Sequence, residues 1–276
     1  MSISKVLKKL GIVISATCVF AIVTPIAMPT SVNMIVSAAT VKLNKKTVSL
    51  YVGKSTTLTL SGTKEKVKWS SSDEDVAIVS SSGKVKAVGY GEATITAKVG
   101  KKSYKCTVYV SVFKAETVSF GNITLELPKD WVSQEVESAA GTHLIAAPSE
   151  SSQSAITTII NNTLYKGLAD DFGSYINGIV TEEYLLNQYK YIYSTAGFTG
   201  ELTSQNFSQS SEVIDGISVV LTYVEILYEG KPFVQSIIYD ICNGTEFVEI
   251  SVGNIYDTDI DFYSYAQQIA SSIIFK

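Results

Sequence analysis

The residue types that most often carry out enzyme chemistry are sparse in this sequence of 276 residues. Histidine, the usual proton shuttle near neutral pH, occurs once, as His143. No serine lies in a Gly-x-Ser-x-Gly elbow, so acyl transfer has no visible nucleophile. Acidic residues are plentiful, but no motif singles out two of them as a catalytic pair. We therefore expect a non-enzyme without catalytic residues, and a carboxylate-based extracellular hydrolase in the C-terminal half stays open as the alternative.

Two acidic runs imitate metal sites. The run Asp257–Asp261 has the alternation that opens a calcium loop, but Phe262 stands where that loop requires glycine. Gln268 stands where a glutamate would close the coordination shell. A helix N-terminus, whose positive end is complemented by acids, explains this run better. The run Asp73–Asp75 fits a solvated turn between two strands better than a calcium site. We expect no metal and no cofactor.

Aromatic side chains supply the candidate binding residues. Tyr184, Tyr191 and Tyr193 fall outside the main apolar stripe of a predicted helix, and exposed tyrosines are common on binding faces. Partial burial against a neighbouring loop is the alternative for these three residues. Trp69 has the ring to stack on a sugar, but its place in a predicted central strand favours core packing.

Charge is distributed unevenly along the chain. All 22 cationic residues are lysine, and the lack of arginine removes the planar fork that reads phosphate with geometric specificity. We therefore expect no nucleic-acid partner. Residues 40–116 contain 14 lysines against 6 acidic residues, whereas residues 117–276 contain 5 lysines against 20 acidic residues. The net charges of +8 and −15 predict two halves that have different electrostatic partners or attract each other.

The N-terminus has the order of a secretory signal. Three lysines precede an apolar run over residues 10–26, and Ser37, Ala38 and Ala39 offer a small-residue cleavage site. The sequence thus predicts a signal peptide over residues 1–39, with an uncleaved anchor as the alternative. No second apolar stretch is long enough to span a membrane. Cys106 and Cys242 lie in different predicted domains, which favours two buried thiols over a disulfide.

Residues 41–112 show short runs of β-forming residues separated by glycine-containing turns. Thr56–Leu60 and Ala93–Ala97 alternate apolar and polar residues with a period of two. Seven short strands at this spacing predict an all-β, two-sheet sandwich. The predicted strands are Thr47–Val52, Ser55–Leu60, Val67–Ser70, Val76–Ser80, Val85–Ala87, Ala93–Val99 and Tyr104–Val112.

Several motifs of this segment occur in the order of a known family. They are the run Leu43–Gly53, then Lys68–Asp73, Val76–Val79, Gly83–Ala87 and Gly91–Ala97. Together they resemble the bacterial group 2 immunoglobulin-like (Big2) family almost end to end. The resemblance implies an extracellular module that serves in adhesins and wall-associated proteins, as a spacer or a binding unit. The module occurs once here, so a long stalk of tandem repeats is not expected.

Residues 118–276 predict a different architecture. Five strands come first, at Val118–Phe120, Ile123–Leu127, Trp131–Val136, Leu144–Ala147 and Ala155–Asn162. Helical spacing over Asp170–Ala196 follows and stops at Gly197, and an interruption near Gly178 stays open. Ile217–Tyr228, Phe233–Cys242 and Phe247–Val252 read as a three-stranded meander, and Asp257–Phe275 as a last helix. The sum is an α+β domain with an antiparallel sheet covered by helices.

The layout of this second domain also resembles a known group. A Leu-Pro-x-x-Trp turn at Leu127–Trp131 comes early, an Asn-Gly hairpin at Asn243–Gly244 comes late, and the chain closes with Ser271–Phe275. This order is similar to the PsbP-like/Mog1-like sandwich of secreted Gram-positive proteins. That group is mostly non-enzymatic, so the resemblance implies an interaction domain.

These observations predict a multi-domain, exported binding or structural protein. We expect a secreted or cell-wall-associated location, with the basic module on the anionic envelope and the acidic domain facing a partner. The expected partners are cell-wall polymers or host and surface macromolecules. The ligand's identity and the oligomeric state stay open.

Overall fold

The computed structural model describes residues 40–138, 141–149, 155–160, 171–214, 216–255 and 260–276, so the predicted signal segment lies outside it. Strands predominate in this part of the chain. The chain divides into two compact units. The smaller unit runs to Val88 and continues over Glu92–Val110, and the larger one comprises Ser111–Lys276 with Gly89–Gly91.

The smaller unit is built from two main sheets. Four strands form one sheet in the order β2-β9-β8-β5, three form the other in the order β3-β7-β6, and β1 pairs with β4. The strands are β1 (Lys42–Leu43), β2 (Thr47–Tyr51), β3 (Ser55–Thr57), β4 (Leu60–Ser61), β5 (Lys68–Ser71), β6 (Ala77–Val79), β7 (Lys84–Ala87), β8 (Gly91–Val99) and β9 (Lys102–Ser111).

The core of the smaller unit follows from the period of two. In β8, Ala93, Ile95 and Ala97 are buried while Lys98 is exposed, as alternation on a half-buried strand requires. Trp69 packs against this core, as expected, although β5 lies at the edge of its sheet and not at the centre. Gly83 has φ +81°, and a Cβ there would lie 2.3 Å from the carbonyl oxygen of Leu58.

One predicted strand of the smaller unit is wrong in detail. Ser55–Leu60 was expected as one strand, but the chain forms β3, bends at Leu58 and then forms β4. The Leu58 side chain is fully buried, and its backbone N–H donates to the carbonyl of Gly83 at 2.8 Å. This hydrogen bond continues the register of β3 with β7, and two residues later the chain changes partner, since β4 pairs with β1.

The larger unit contains a seven-stranded antiparallel sheet and a three-stranded one. The strand orders are β12-β13-β14-β18-β17-β16-β15 and β10-β11-β19. The strands are β10 (Ala115–Phe120), β11 (Ile123–Pro128), β12 (Val132–Ser138), β13 (Gly141–Ala147), β14 (Ala155–Ile160), β15 (Leu202–Ile214), β16 (Ile217–Tyr228), β17 (Lys231–Cys242), β18 (Phe247–Ile255) and β19 (Ile274–Phe275). The helices are α1 (Phe172–Ile179), α2 (Glu182–Thr195) and α3 (Phe262–Ser271).

Both faces of the large sheet are apolar in its centre. Alternate residues of β17 belong to two different core clusters, with Ile237 and Tyr239 in one and Ile238 in the other. The first cluster includes α3 residues such as Phe262, and the second includes α1 residues such as Phe172. Burial on both faces explains why β17 reads as an almost continuous apolar run.

The meander expected from the sequence omitted one long edge strand, β15, which the structure contains. β15 pairs with β16 along 11 residue pairs, so the meander has four strands and not three. Its sequence from Thr203 to Ser211 is polar apart from Phe207, and the register shifts between Gln205 and Ser208, where Asn206 has φ 56°. A bulged edge strand of this kind has little of the apolar alternation on which recognition from sequence depends.

Both expected helical regions are shorter or divided. The region 170–196 forms two helices, because Val180 leaves the helical conformation and Thr181 caps α2 by accepting from the Tyr184 N–H at 3.1 Å. α2 ends at Thr195, and Gly197 follows with φ +87°, as predicted. The last helix ends at Ser271, not Phe275, because Ile274 and Phe275 pair with β11.

Candidate binding surfaces

The structure separates the three candidate tyrosines. Tyr184 and Tyr191 are 48% and 70% exposed on α2. Tyr193 instead packs against the second core cluster, with its ring centroid 5.0 Å from that of Phe233 and 5.2 Å from that of Phe198. Tyr184 and Tyr191 thus offer free aromatic surface, and Tyr193 helps to build the wall of a cleft.

This cleft lies where α2 turns into β15. Its volume is about 270 Å³, at the small end of the range for ligand pockets. The lining combines two aromatic rings with hydroxyl groups and one charge of each sign, from Lys190, Tyr193, Ser194, Phe198, Thr199, Gly200, Glu201 and Leu202. Phe198 remains 42% exposed. We call this feature the α2 cleft.

The α2 cleft is rigid because its loop is tied down at several points. The Phe198 N–H donates to the carbonyl of Tyr193 at 2.9 Å, and the Gly200 N–H donates to the Tyr228 hydroxyl at 3.2 Å. A Cβ on Gly200 would lie 2.3 Å from the Tyr228 ring, so this close approach requires glycine. Phe198 also meets Tyr228 edge to face at 5.7 Å. The sequence pattern identified Tyr193 but missed Phe198. The feature that could have drawn attention to Phe198 is its position directly after the turn glycine that ends the helix.

Lysines dominate the surface of the smaller unit. All 13 lysines between Lys42 and Lys105 are exposed. Lys68 of β5 and Lys98 of β8 stand directly opposite each other in the antiparallel ladder. Their neighbours Trp69 and Ala97 point to the core, so both ammonium groups stand on the outer face of the four-stranded sheet. Like charges at opposed positions destabilise a sheet, so packing does not explain this pair.

Two carboxyl groups, one buried and one partly buried, face each other in the larger unit. Asp240 of β17 is 1% exposed, and neither of its side-chain oxygens has a hydrogen-bond partner. Glu249 stands directly opposite it on β18. Burial and the nearby Glu249 raise the pKa of Asp240 well above its usual value, and burial also raises the pKa of Glu249 against a hydrogen bond from Ser251. The pair therefore retains protons that exposed carboxyls would lose.

The pair lacks the geometry of a working acid–base centre. Its face of the sheet also carries Ile238 and Cys242, which belong to the core cluster with α1 and α2. Paired catalytic carboxylates flank a site that admits substrate and water, whereas Asp240 is almost wholly enclosed. Burial similarly raises the pKa of Tyr189 to about 12, so its hydroxyl is neutral at physiological pH.

The other residues that the sequence singled out lie in strands or at a helix N-terminus. His143 lies in β13 opposite Val136 and Ile159. Cys106 and Cys242 are buried free thiols, as predicted. Asp261 caps α3 by accepting from the Ser264 N–H at 3.2 Å, as expected for a helix N-terminus, while residues 257–259 lie outside the described chain.

The acidic turn of the smaller unit is ordered by its own hydrogen bonds. The Asp75 N–H donates to the Asp73 side chain at 3.1 Å, as in an Asx turn. Within the described ranges, no group of three or more His, Cys, Asp or Glu side chains converges as a metal site would require. No helix in the same ranges is long and apolar enough to cross a membrane.

Comparison with known proteins identifies the smaller unit. Residues 36–110 match the family model of the bacterial Ig-like domain (group 2), which confirms the resemblance predicted from the motif order. This match is consistent with a protein of the cell surface and with a non-catalytic module. No curated protein matches the chain as a whole.

Two solved structures illustrate what the fold is similar to. The solution structure of cyanobacterial PsbP from Synechocystis sp. PCC 6803 matches at 13% identity and a TM-score of 0.43, covering 60% of this chain and 95% of that one. Domains 5–6 of the S-layer protein SbsC match at 17% identity and a TM-score of 0.24, covering 79% of this chain and 98% of that one.

Proposed function

We propose that this chain is an exported surface or secreted protein that works by binding, not by catalysis. Its lysine-rich Ig-like module associates with the anionic cell envelope, and its acidic C-terminal domain contacts a second partner. The single observation that carries the proposal is that all 13 lysines between Lys42 and Lys105 are exposed, in a segment of opposite net charge to the rest of the chain. Such a field concentrates anionic polymers near the module.

The α2 cleft supports the second part of the proposal. Its rigid walls hold Phe198 and Tyr193 in place before any ligand arrives, which lowers the entropic cost of binding. The exposed Tyr191 extends the aromatic surface along the same helix. Because the surrounding domain is strongly acidic, a neutral or basic partner suits it better than an anionic one.

Retention of the purified chain on cell-wall material across a salt series tests the envelope part. We expect retention at low ionic strength that declines steeply as salt is added, because exposed charges are screened within about 8 Å at physiological salt. Failure to bind even at low ionic strength would refute it. Phe198→Ala tests the partner surface in pull-downs, with Val213→Ala as the control at an exposed apolar side chain outside the cleft lining, and we expect only the first to weaken capture.

A carboxylate-based hydrolase is the alternative function. It requires two acids that reach a substrate, and Asp240 and Glu249, which oppose each other in the sheet, are the pair to test, although the enclosure of Asp240 argues against this role. Turnover of a glycan or peptide substrate that Asp240→Asn abolishes would establish the enzyme and overturn the binding proposal.

A further inference from the structure

We infer that one end of the four-stranded sheet of the Ig-like module is a docking surface for a phosphodiester polymer of the cell wall. The inference rests on the proposed envelope binding and locates it. The surface, here called the basic end, consists of six exposed lysines around the β5–β8 ladder: Lys64, Lys66, Lys68, Lys98, Lys101 and Lys102.

The fold gathers these lysines from three segments. Lys68 and Lys98 face each other across the ladder. The loop before β5 passes beside the turn after β8, since the Glu65 carboxylate lies 3.6 Å from where a Cβ on Gly100 would stand. That approach places Lys64 and Lys66 next to Lys101 and Lys102.

One acid, Glu65, lies within the basic end, which therefore carries six lysines against one carboxylate, and the other acids of the unit lie at the opposite end of the same sheet. The Ser72 N–H donates to the carbonyl of Thr94, which places Asp73–Asp75 near the start of β8, where Glu92 also lies. Six residues of extended strand separate Glu92 from Lys98, a distance of about 20 Å. This distance exceeds two screening lengths of about 8 Å at physiological salt, so these carboxylates do not neutralise the basic end.

Lysine at every cationic position indicates the chemistry of the ligand. An ammonium group is a compact point charge with no planar fork, so it binds phosphate without the bidentate geometry that arginine gives. Trp69, the nearest large ring in β5, packs against the core, whereas a surface for single-stranded nucleic acid typically carries exposed rings for base stacking. A flexible chain with regularly spaced phosphate charges therefore fits this surface.

Two triple variants of the full chain test the inference. The first, Lys68→Gln/Lys98→Gln/Lys102→Gln, removes three charges from the basic end. The matched control, Lys54→Gln/Lys84→Gln/Lys86→Gln, removes three exposed lysines beside the three-stranded sheet, where Lys86 faces Ser55 and Ile78 in its ladders. Binding is measured on purified cell walls before and after extraction of their phosphate polymers, with single-stranded DNA as a competitor and circular dichroism as the check on folding.

We expect the first variant to lose affinity on the order of tenfold at about 50 mM salt, with a fall of about 2 in the slope of log K against log salt. The control should stay within about threefold of the unsubstituted chain, and extracted walls should not bind. Equal losses of wall affinity in both variants, or tighter binding to DNA than to walls, would refute the basic end as the docking surface. Neither result would refute envelope binding by the module as a whole. Absence of binding by the unsubstituted chain would overturn both.

Discussion

Replacing Asp240 with asparagine tests the physical state of the Asp240–Glu249 pair. The folded protein retains a proton on Asp240 at pH values where an unfolded aspartate, with a pKa of about 3.9, has lost it. The contribution of Asp240 to stability is therefore fully present below about pH 4 and is lost as pH rises towards its raised folded-state pKa. Each retained proton contributes a slope of about 1.4 kcal/mol per pH unit to the free energy of unfolding.

Asparagine has nearly the same shape as protonated aspartate but does not titrate. At pH 4 we expect Asp240→Asn to match the unsubstituted protein, and as pH rises above 4 we expect the variant to be spared the loss of stability that ionising the buried Asp240 causes in its parent. The variant should therefore be the more stable of the two proteins at pH 7. Glu135→Gln, which removes an exposed carboxyl of β12, should leave the pH dependence unchanged.

Urea denaturation at several pH values provides the assay. The chain has two tryptophans, so a Trp69→Phe background leaves Trp131 as the reporter of the larger unit. Trp131 stacks on Tyr265 of α3 at 5.1 Å, and unfolding will change its fluorescence. Parallel stability curves for Asp240→Asn and its parent, or a variant less stable than its parent at pH 7, would refute the protonated pair.

Three further predictions concern the frame of the fold. Gly83→Ala should lower the free energy of unfolding by about 2–5 kcal/mol, because its Cβ would meet the Leu58 carbonyl at a positive φ. Gly53→Ala, at a similar φ with open space around it, should lower it by about 1–2 kcal/mol. Urea melts followed by Trp69 fluorescence in a Trp131→Phe background compare the two, and equal losses would contradict the clash at Gly83. Thr181→Ala should lower the free energy of unfolding by about 1 kcal/mol, because it removes the N-cap of α2. Amide hydrogen exchange in the first turn of α2 should become faster. Thr195→Ala is the control and should change little, because the Thr195 hydroxyl bonds only back to the Ile192 carbonyl. Cys106 and Cys242 should react with a thiol reagent only after denaturation, as counted by mass spectrometry, and rapid native labelling or a disulfide-linked mass would contradict their burial as free thiols.

Much of the strand pattern was predictable from the sequence because its signals are local. Apolar alternation in β8 and the Asn243–Gly244 turn each involve a few neighbouring residues, and the structure follows both. β15 was missed because a bulged, polar edge strand gains its order from pairing with β16. The last helix was predicted to be too long, because Ile274 and Phe275 continue the helical spacing in the sequence but pair with β11 in the structure.

The candidate surfaces divide in the same way. Tyr184 and Tyr191 were recognisable as rings outside an apolar stripe, and the structure exposes both. Phe198 was not recognisable, because its place in the α2 cleft depends on Tyr228, which lies 30 residues further along the chain.

By itself, the sequence determined the two kinds of module, the candidate export signal and the opposite charges of the two halves, because composition, period and turn residues are properties of short stretches of chain. Only the tertiary structure decided that Lys68 opposes Lys98, that Asp240 opposes Glu249 and that a cleft opens beside Phe198. Each of these depends on strand register or loop packing between residues distant in sequence. One residue of register slip would move every side chain of a strand to the opposite face.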